Sequence, residues 1–360
     1  MSSARLNTYS PGLPFRYILS GGTMKLRNRY FYYLSILAVC SLVAACSTGG
    51  HNGVTKAPEV VSFNQAMLYP EGVDWDPSHN RFLVTSIRKG VVGAVTDDGQ
   101  YSVFATDSRM VSAVGIRVDA KRDRVLVCNA DPGASEHSSP TTTGKLAALA
   151  VFRLSDGKLI EYIDLVEGMD GGHFCNDIII DKDGTAYISD SFSNMIHRVD
   201  AQYKTSVFIS DKEFNGVGFN LNGLVIKDNY LLIDKYNDGT LYKIPLKNPK
   251  AFSKVKIDRK FHGADGLLWA PDGTLLLIAN DSDHGGSKPA IKTDKVVRLK
   301  STDNWASAKV VGEENTGDVF ATTGVVRNGE AYVIHAMLHV LFNPKTEQHM
   351  EQFDIRRYRP

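Results

Sequence analysis

Beyond residue 66 the chain alternates short apolar segments with turn-forming residues, and it shows no long run of apolar residues at helical spacing. One unit recurs: a glycine, an alternating apolar segment, a turn and a second apolar segment. Its six copies begin at Glu71, Val114, Asn176, Asn222, Asp265 and Thr323. Weaker third and fourth apolar segments follow each pair, and Asp-Gly or Asn-Gly pairs supply hairpin turns. The pattern predicts an all-β fold, a six-bladed β-propeller with four-stranded blades around a central channel.

Two long segments, 131–145 and 281–295, interrupt blades two and five on the side where the channel is expected to open. Loops longer than about 12 residues often bind ligands or cover a site. We therefore expect these two segments to influence the choice of substrate. His137 and His284 are minor candidates for contacts with that substrate.

The N-terminal part has a different composition from the rest of the chain. Residues 24–45 combine a basic start with a short apolar run that ends in small residues, which are the features of a secretory signal. The run is shorter than the roughly 20 residues that a membrane-spanning helix needs. The sequence Val43-Ala44-Ala45-Cys46 also resembles the bacterial lipobox, in which the cysteine is acylated. An uncleaved anchor or a plain secretory signal is the alternative.

These features predict four regions along the chain. Residues 1–23 are an over-called start or a segment without a fold, 24–45 are a lipoprotein signal peptide, 46–58 are a flexible tether, and 59–360 form the propeller. The protein would then be exported and held on a bacterial envelope membrane by a lipid on Cys46. In a Gram-negative organism this would be the outer membrane, facing the periplasm.

Charge and cysteine content narrow the function classes. The chain has 41 Lys and Arg against 40 Asp and Glu, so no basic excess exists to neutralise a nucleic-acid backbone. We expect the protein to act on a small-molecule substrate and to be a monomer.

Cys128 and Cys175 fall in apolar, strand-like segments of the propeller. Two buried free thiols are the expectation for them, with a disulfide as the alternative.

In a propeller, the residue that opens each innermost strand points toward the shared axis. Four of the six such residues end in a carboxylate or amide oxygen: Glu71, Asn176, Asn222 and Asp265. Two carboxylates and two amides match the charge of one divalent cation, and an all-oxygen set favours Ca²⁺, with Mg²⁺ or Mn²⁺ as alternatives. Zinc would need nitrogen or sulfur ligands. Turn formation explains each Asn or Asp alone, but it does not explain their shared register.

From about residue 66 to its end, the chain resembles the senescence marker protein-30 / gluconolactonase family, kin of the paraoxonases. The resemblance lies in Pro70-Glu71-Gly72-Val73, Cys175-Asn176-Asp177-Ile178, Leu221-Asn222-Gly223-Leu224 and Ala264-Asp265-Gly266-Leu267. It implies that Glu71, Asn176, Asn222 and Asp265 bind a catalytic divalent cation, usually calcium. It also implies hydrolysis of lactones, with Asp265 as the general base.

The sequence departs from the family pattern at one position, and it offers several weaker candidates for site residues. Many family members carry an Arg shortly before the first ligand Asn, where it holds a sugar acid, whereas residues 171–175 contain none. His173 and His262 each lie three residues before a ligand, and Asp190 and Asp234 end second strands on the same face, so these four could support the site or touch substrate. The alternative function is a non-catalytic NHL-like propeller that binds a protein or glycan and holds a structural metal. A strictosidine-synthase-like propeller without a metal is disfavoured by the complete ligand set.

Overall fold

The structure is a computed structural model that describes residues 57–280, 294–343, 345 and 349–360. Within these residues the chain forms six antiparallel sheets of four strands each. The innermost strand of each sheet contacts the innermost strand of the next, and the last contacts the first, which closes a ring. The predicted six-bladed propeller is confirmed.

Each blade is a meander whose first-named strand lies nearest the axis and whose last-named strand lies at the rim. Blade one contains β2 (Val73–Asp76), β3 (Arg81–Thr85), β4 (Val92–Val95) and β5 (Tyr101–Ala105). Blade two contains β6 (Ser112–Asp119), β7 (Arg124–Ala130), β8 (Ala147–Arg153) and β9 (Leu159–Asp164). Blade three contains β10 (Cys175–Ile180), β11 (Ala186–Asp190), β12 (Met195–Val199) and β13 (Thr205–Ser210).

Blade four contains β14 (Leu221–Lys227), β15 (Tyr230–Lys235), β16 (Thr240–Pro245) and β17 (Ser253–Lys254). Blade five contains β18 (Ala264–Trp269), β19 (Leu275–Ala279), β20 (Lys295–Lys300) and β21 (Lys309–Asn315). Blade six contains β22 (Ala321–Arg327), β23 (Glu330–His335), β24 (Gln352–Tyr358) and β1 (Val60–Asn64). One short helix, α1 (Leu338–Leu341), follows β23. Among the described residues, none of the helices has the length and apolar character needed to cross a membrane.

Both ends of the propeller contribute to blade six. Strand β1 pairs antiparallel with β24 over five residues, from Val60 opposite Arg356 to Asn64 opposite Gln352. The sequence left open which terminus supplies the outermost strand, and the structure assigns it to β1. Val61 and Phe63 are buried while their neighbours on β1 are exposed, so the strand attaches by one apolar face.

The innermost strands approach one another closely because glycine follows most of the residues that open them. A β-carbon on Gly115 would lie 2.2 Å from the Asn176 carbonyl oxygen, and one on Gly223 would lie 2.4 Å from the Asp265 carbonyl oxygen. Real β-carbons do not approach oxygen this closely, so the ring needs glycine at these points. The repeated glycine in the sequence pattern therefore reports the tight packing around the axis.

The two propeller cysteines form a disulfide between blades. Cys128 on β7 and Cys175 on β10 are bonded, with their Cα atoms 5.2 Å apart. The expectation of two free thiols is therefore wrong. Spacing in the sequence could not show that the second strand of blade two and the innermost strand of blade three bring these residues within disulfide range.

Candidate metal centre at the channel mouth

The four predicted oxygen ligands lie around one cavity at the end of the channel. Glu71, Asn176, Asn222 and Asp265 all line it, and each residue is at most 7% exposed. They come from blades one, three, four and five, so the site exists only once the ring is assembled. The shared register predicted from the repeat is the register that places them together.

Irregular strand pairing accompanies this placement. In blades two to six, the pairing between the innermost and second strands shifts register near the start of the innermost strand. The shifts leave Asn176, Asn222 and Asp265 outside the regular ladder. Such bulges redirect side chains and are common beside functional sites. In this propeller they occur where the side chains meet the cavity.

Blade six contributes a different residue from the one that the repeat suggested. A β-carbon on Gly266 would lie 2.7 Å from the Thr322 carbonyl oxygen. A β-carbon on Gly223 would meet the Asp265 carbonyl oxygen in the same way, so Thr322 is the counterpart of Asp265. Thr322 lines the cavity and its hydroxyl donates to the Glu71 carbonyl oxygen at 2.6 Å. The residue of blade six at the axial position is therefore Thr322, one residue before Thr323.

The cavity combines an oxygen-lined part with apolar walls. Its empty volume, including space open to solvent, is about 440 Å³. Its remaining lining residues are mostly apolar or aromatic: Ile87, Val114, Pro132, Phe174, Phe219, Tyr236, Phe320, Leu338 and Phe342. No Lys, Arg or His is among the described residues that line it. Among the described lining residues, the acidic or basic side chains are therefore the carboxyl groups of Glu71 and Asp265.

Burial makes these two carboxylates costly to ionise. Burial first, and then the neighbouring carboxylates of Asp265 and Asp177, raise the pKa of Glu71 well above its usual value. Burial raises the pKa of Asp265 to about 8, although hydrogen bonds from Asn280 and Asn222 act to lower it. A cation between the two carboxylates would reverse both shifts.

Hydrogen bonds from outside the cavity hold the ligands. The Asn280 side-chain amide donates to the Asp265 carboxylate, and Asn280 also accepts a 2.8 Å hydrogen bond from the Tyr236 hydroxyl. The Asn176 amide donates to the Ser191 hydroxyl at 2.8 Å, which directs the Asn176 amide oxygen away from Ser191. Partners of this kind fix the orientation of metal ligands.

The residues fit a hard divalent cation. Glu71 Oε2 and Asn176 Oδ1 are buried and have no hydrogen-bond partner among the described residues. Buried polar atoms nearly always have a partner, and these two belong to the predicted ligand set. Two carboxylate and two amide groups offer the oxygen ligands that Ca²⁺ prefers.

Comparison with solved structures gives the same architecture. The major allergen Mala s 1 of Malassezia sympodialis superimposes with a TM-score of 0.63 at 14% identity, over 84% of this chain and 96% of the allergen. A gluconolactonase from Xanthomonas campestris gives 0.55 at 11%, over 83% and 89%. Regucalcin from Agrobacterium tumefaciens, a calcium-binding protein, gives 0.53 at 16%, over 81% and 90%.

The chain shares its fold with gluconolactonases. At these identities the likeness concerns the propeller fold alone. No family model and no curated protein matches the sequence.

A second polar cluster lies in blade three, and its residues do not line the cavity. His173 Nδ1 is 2.7 Å from Asp190 Oδ2, and His197 Nε2 is 3.2 Å from the same oxygen. All three side chains are buried, and their ligand atoms lie within 4.8 Å of one another, so the cluster could hold a metal ion. Although burial acts in the opposite direction, hydrogen bonds from the two histidines hold the pKa of Asp190 well below its usual value. The Asp190 hydrogen bond raises the pKa of His173.

Of the other sequence candidates, Asp234, His137 and His262 do not line the cavity. His262 is exposed and its Nδ1 is 3.2 Å from the Asn237 carbonyl oxygen. Asp234 is fully buried, and burial followed by the Asp265 and Asp177 carboxylates raises its pKa well above the usual value. In segment 131–145, Pro132 lines the cavity, whereas His137 is exposed and does not. His284 and Cys46 lie outside the described residues.

Sequence reasoning missed several residues that support the site. His197 is one residue in an ordinary strand, and Ser191 and Asn280 follow second strands without a distinctive motif. Asn280 follows blade five's second strand, at the position that Ser191 and Tyr236 occupy in blades three and four. Strand register shows this equivalence, and only three-dimensional structure brings His197 to Asp190.

Proposed function

We propose that the protein is a divalent-cation-dependent hydrolase of lactones or related esters that acts at the channel mouth. The observation that supports this proposal is the meeting of two carboxylates and two amides at one cavity, with unpartnered buried oxygens on Glu71 and Asn176 among the described residues. Calcium is the cation that this ligand set favours. A bound divalent cation supplies carbonyl polarisation and stabilises the negative charge that develops on the oxygen.

The chain's own residues would perform the proton transfers. In lactone hydrolysis, water adds to the carbonyl carbon, the ring C–O bond breaks, and one proton of the water ends on the leaving alkoxide. Asp265 is the proposed general base, because its carboxylate borders the cavity and Asn280 and Asn222 hold it. Asp265 then returns the proton to the alkoxide, so the product is the hydroxy acid.

The cavity walls favour an apolar substrate. Aromatic and aliphatic side chains surround the oxygen-lined part, and no basic side chain among the described residues lines it to pair with a sugar acid or phosphate. The stretch 171–175, where many gluconolactonases would have Arg, contains none. We therefore propose an uncharged lactone that carries an alkyl or aromatic substituent.

The test measures kcat/KM for the hydrolysis of three lactones by the metal-loaded protein. The lactones are γ-butyrolactone, a γ-lactone with a long alkyl branch, and glucono-δ-lactone. The expected result is hydrolysis of the alkyl lactone with the highest kcat/KM. Glu71→Gln and Asp265→Asn should each reduce kcat/KM by about 100-fold or more. Asp181→Asn, in the β10–β11 turn, is the matched control and should retain activity. Tight stoichiometric calcium binding without hydrolysis of any lactone would instead indicate a binding propeller of the NHL type with a structural ion.

We also propose that the protein is exported and lipid-anchored through Cys46. The Cys128–Cys175 disulfide supports this proposal, since such bonds are typical of oxidising compartments outside the cytosol. In a Gram-negative host, the wild type should fractionate with membranes and incorporate labelled fatty acid. Cys46→Ser should lose the label and appear in the soluble fraction. Equal labelling of both proteins would refute attachment at this residue.

A further inference from the structure

The His173–Asp190–His197 cluster is separate from the oxygen-lined cavity. None of its three residues is among the described residues that line that cavity. His173 precedes β10, Asp190 ends β11 and His197 lies in the middle of β12, so three parts of one blade meet at this point. The side chain of His173 is 4% exposed, and those of Asp190 and His197 are 0% exposed.

The donor atoms suit a different class of metal from the one at the mouth. Two imidazole nitrogens and one carboxylate oxygen form a ligand set for zinc or a similar transition metal. Ligands at tetrahedral zinc lie about 3.3 Å from one another, given metal–ligand bonds of roughly 2.0–2.1 Å. The His197 Nε2–Asp190 Oδ2 distance of 3.2 Å already matches, and the His173 Nδ1–Asp190 Oδ2 distance of 2.7 Å needs to widen by about half an ångström.

The surroundings hold the carboxylate in place. The other Asp190 oxygen, Oδ1, accepts hydrogen bonds from the Phe174 amide at 2.8 Å and the Phe192 amide at 3.2 Å. Oδ2 therefore remains directed at the two histidines. Backbone partners of a ligating carboxylate are typical of built metal sites, because they fix its orientation before the metal binds.

We propose that His173, Asp190 and His197 bind one zinc-like transition metal, in addition to the hard cation at the channel mouth. The inference stands whether or not the mouth hydrolyses lactones. The metal has a structural role, because it ties the segment before β10 to β11 and β12. That segment continues into Phe174, which lines the cavity, and Asn176, which is a proposed ligand of the hard cation.

The cysteines cannot supply this metal with thiolates within the propeller. Both cysteines of the described residues, Cys128 and Cys175, are consumed in the disulfide. A transition metal bound by the propeller must therefore use histidine and carboxylate ligands, and this makes its spectrum easy to interpret.

The experiment uses Co²⁺ as a spectroscopic substitute for zinc. The full chain, saturated with Ca²⁺ to fill the mouth, is titrated with Co²⁺ while visible absorption is recorded. The expected result is one equivalent of Co²⁺ with the intense absorption of a four-coordinate ion, displaced by Zn²⁺. His173→Gln and His197→Gln should each abolish that absorption. His335→Gln is the matched control, because His335 is also buried in a strand and hydrogen-bonded, at 2.8 Å to the Tyr358 hydroxyl in blade six.

Two results would overturn the proposal. One is absence of the four-coordinate Co²⁺ absorption in the wild type, which would mean that Asp190 only accepts hydrogen bonds from the two histidines. The other is retention of the absorption in both His173→Gln and His197→Gln. If these variants fail to fold, zinc X-ray absorption of the wild type decides the matter. Two imidazole nitrogens at about 2.0 Å support the site, and an all-oxygen shell refutes it.

Discussion

At the scale of single residues, the mouth combines groups that repel one another in the absence of a cation. Glu71 and Asp265 are buried together, and Asp177 adds a third carboxylate close by. Such a grouping is stable in two ways: the carboxyl groups hold protons, or a cation binds between them. With the proposed calcium site, the choice between these states makes stability depend on both pH and calcium.

Metal-free protein should lose stability as the pH rises. Because the folded-state pKa of Asp265 is about 8 and its usual value is 3.8, the folded protein keeps a proton that the unfolded chain releases. The free energy of unfolding should therefore fall as the pH rises from about 4 to about 8. Saturating Ca²⁺ should remove most of the loss. Urea unfolding at pH 5 and pH 8 tests this, and Asp265→Asn should show a shallower dependence than the wild type.

Ser191 should affect the calcium affinity of the proposed site through Asn176 and not as a ligand of the ion. Its hydroxyl accepts the hydrogen bond that orients the Asn176 amide. Ser191→Ala should weaken calcium binding by about 10-fold, since loss of such orienting partners typically costs 10–100-fold in metal affinity. Isothermal titration calorimetry gives the affinity. Ser193→Ala is the control on the same loop, because the Ser193 hydroxyl has no hydrogen-bond partner among the described residues; equal losses in both variants would argue against orientation.

At the scale of strands, the propeller repeat was readable because apolar alternation and turn residues are local properties. The same repeat located Glu71, Asn176, Asn222 and Asp265, since a fixed place in each blade becomes a fixed place around the axis. Local pattern could not show that the axial residue of blade six is Thr322, because the glycine that marks the repeat lies one position later in this blade. Gly324 pairs with Val333 as Leu224, not Gly223, pairs with Ile233. The Cys128–Cys175 bond and the approach of His197 to Asp190 were equally hidden, as both depend on how strands stack across or within blades.

The disulfide should stabilise the junction of blades two and three. It joins residues 47 positions apart, and closing a loop of that size in the unfolded chain is worth about 4 kcal/mol in the chain-entropy account. Reduction should lower the free energy of unfolding by about 3–4 kcal/mol. Urea unfolding with and without dithiothreitol measures the change, and a Cys128→Ser/Cys175→Ser double variant should not respond to the reductant.

At the scale of the whole molecule, β1 closes the ring and links blade six to blade one. Phe63 packs beside Phe353 of its own blade and stacks on Tyr101 of blade one, each with ring centroids 6.1 Å apart. Beside the start of β1, the Glu59 carboxylate pairs with Arg357 and Arg359. These contacts hold the two ends of the propeller together.

Loss of the Phe63 ring should therefore destabilise the entire propeller. Phe63→Ala should lower the free energy of unfolding by about 3–5 kcal/mol, the usual range for a buried phenylalanine. Ser62→Ala, on the exposed face of the same strand, should change it by less than about 0.5 kcal/mol. Urea unfolding compares the two, and a small effect of Phe63→Ala would show that β1 attaches only loosely.

The pairing of β1 with β24 also sets an order of events in time. Val60 is near the start of the propeller and its partner Arg356 is near the end, so the ribosome makes the first half of this pair long before the second. Strand β1 cannot find its partner until β24 has been synthesised. Slow, non-local pairing of this kind leaves an unpaired strand exposed to aggregation while the chain is incomplete. The ring cannot close before β24 has been made, so closure comes late in the folding of the chain.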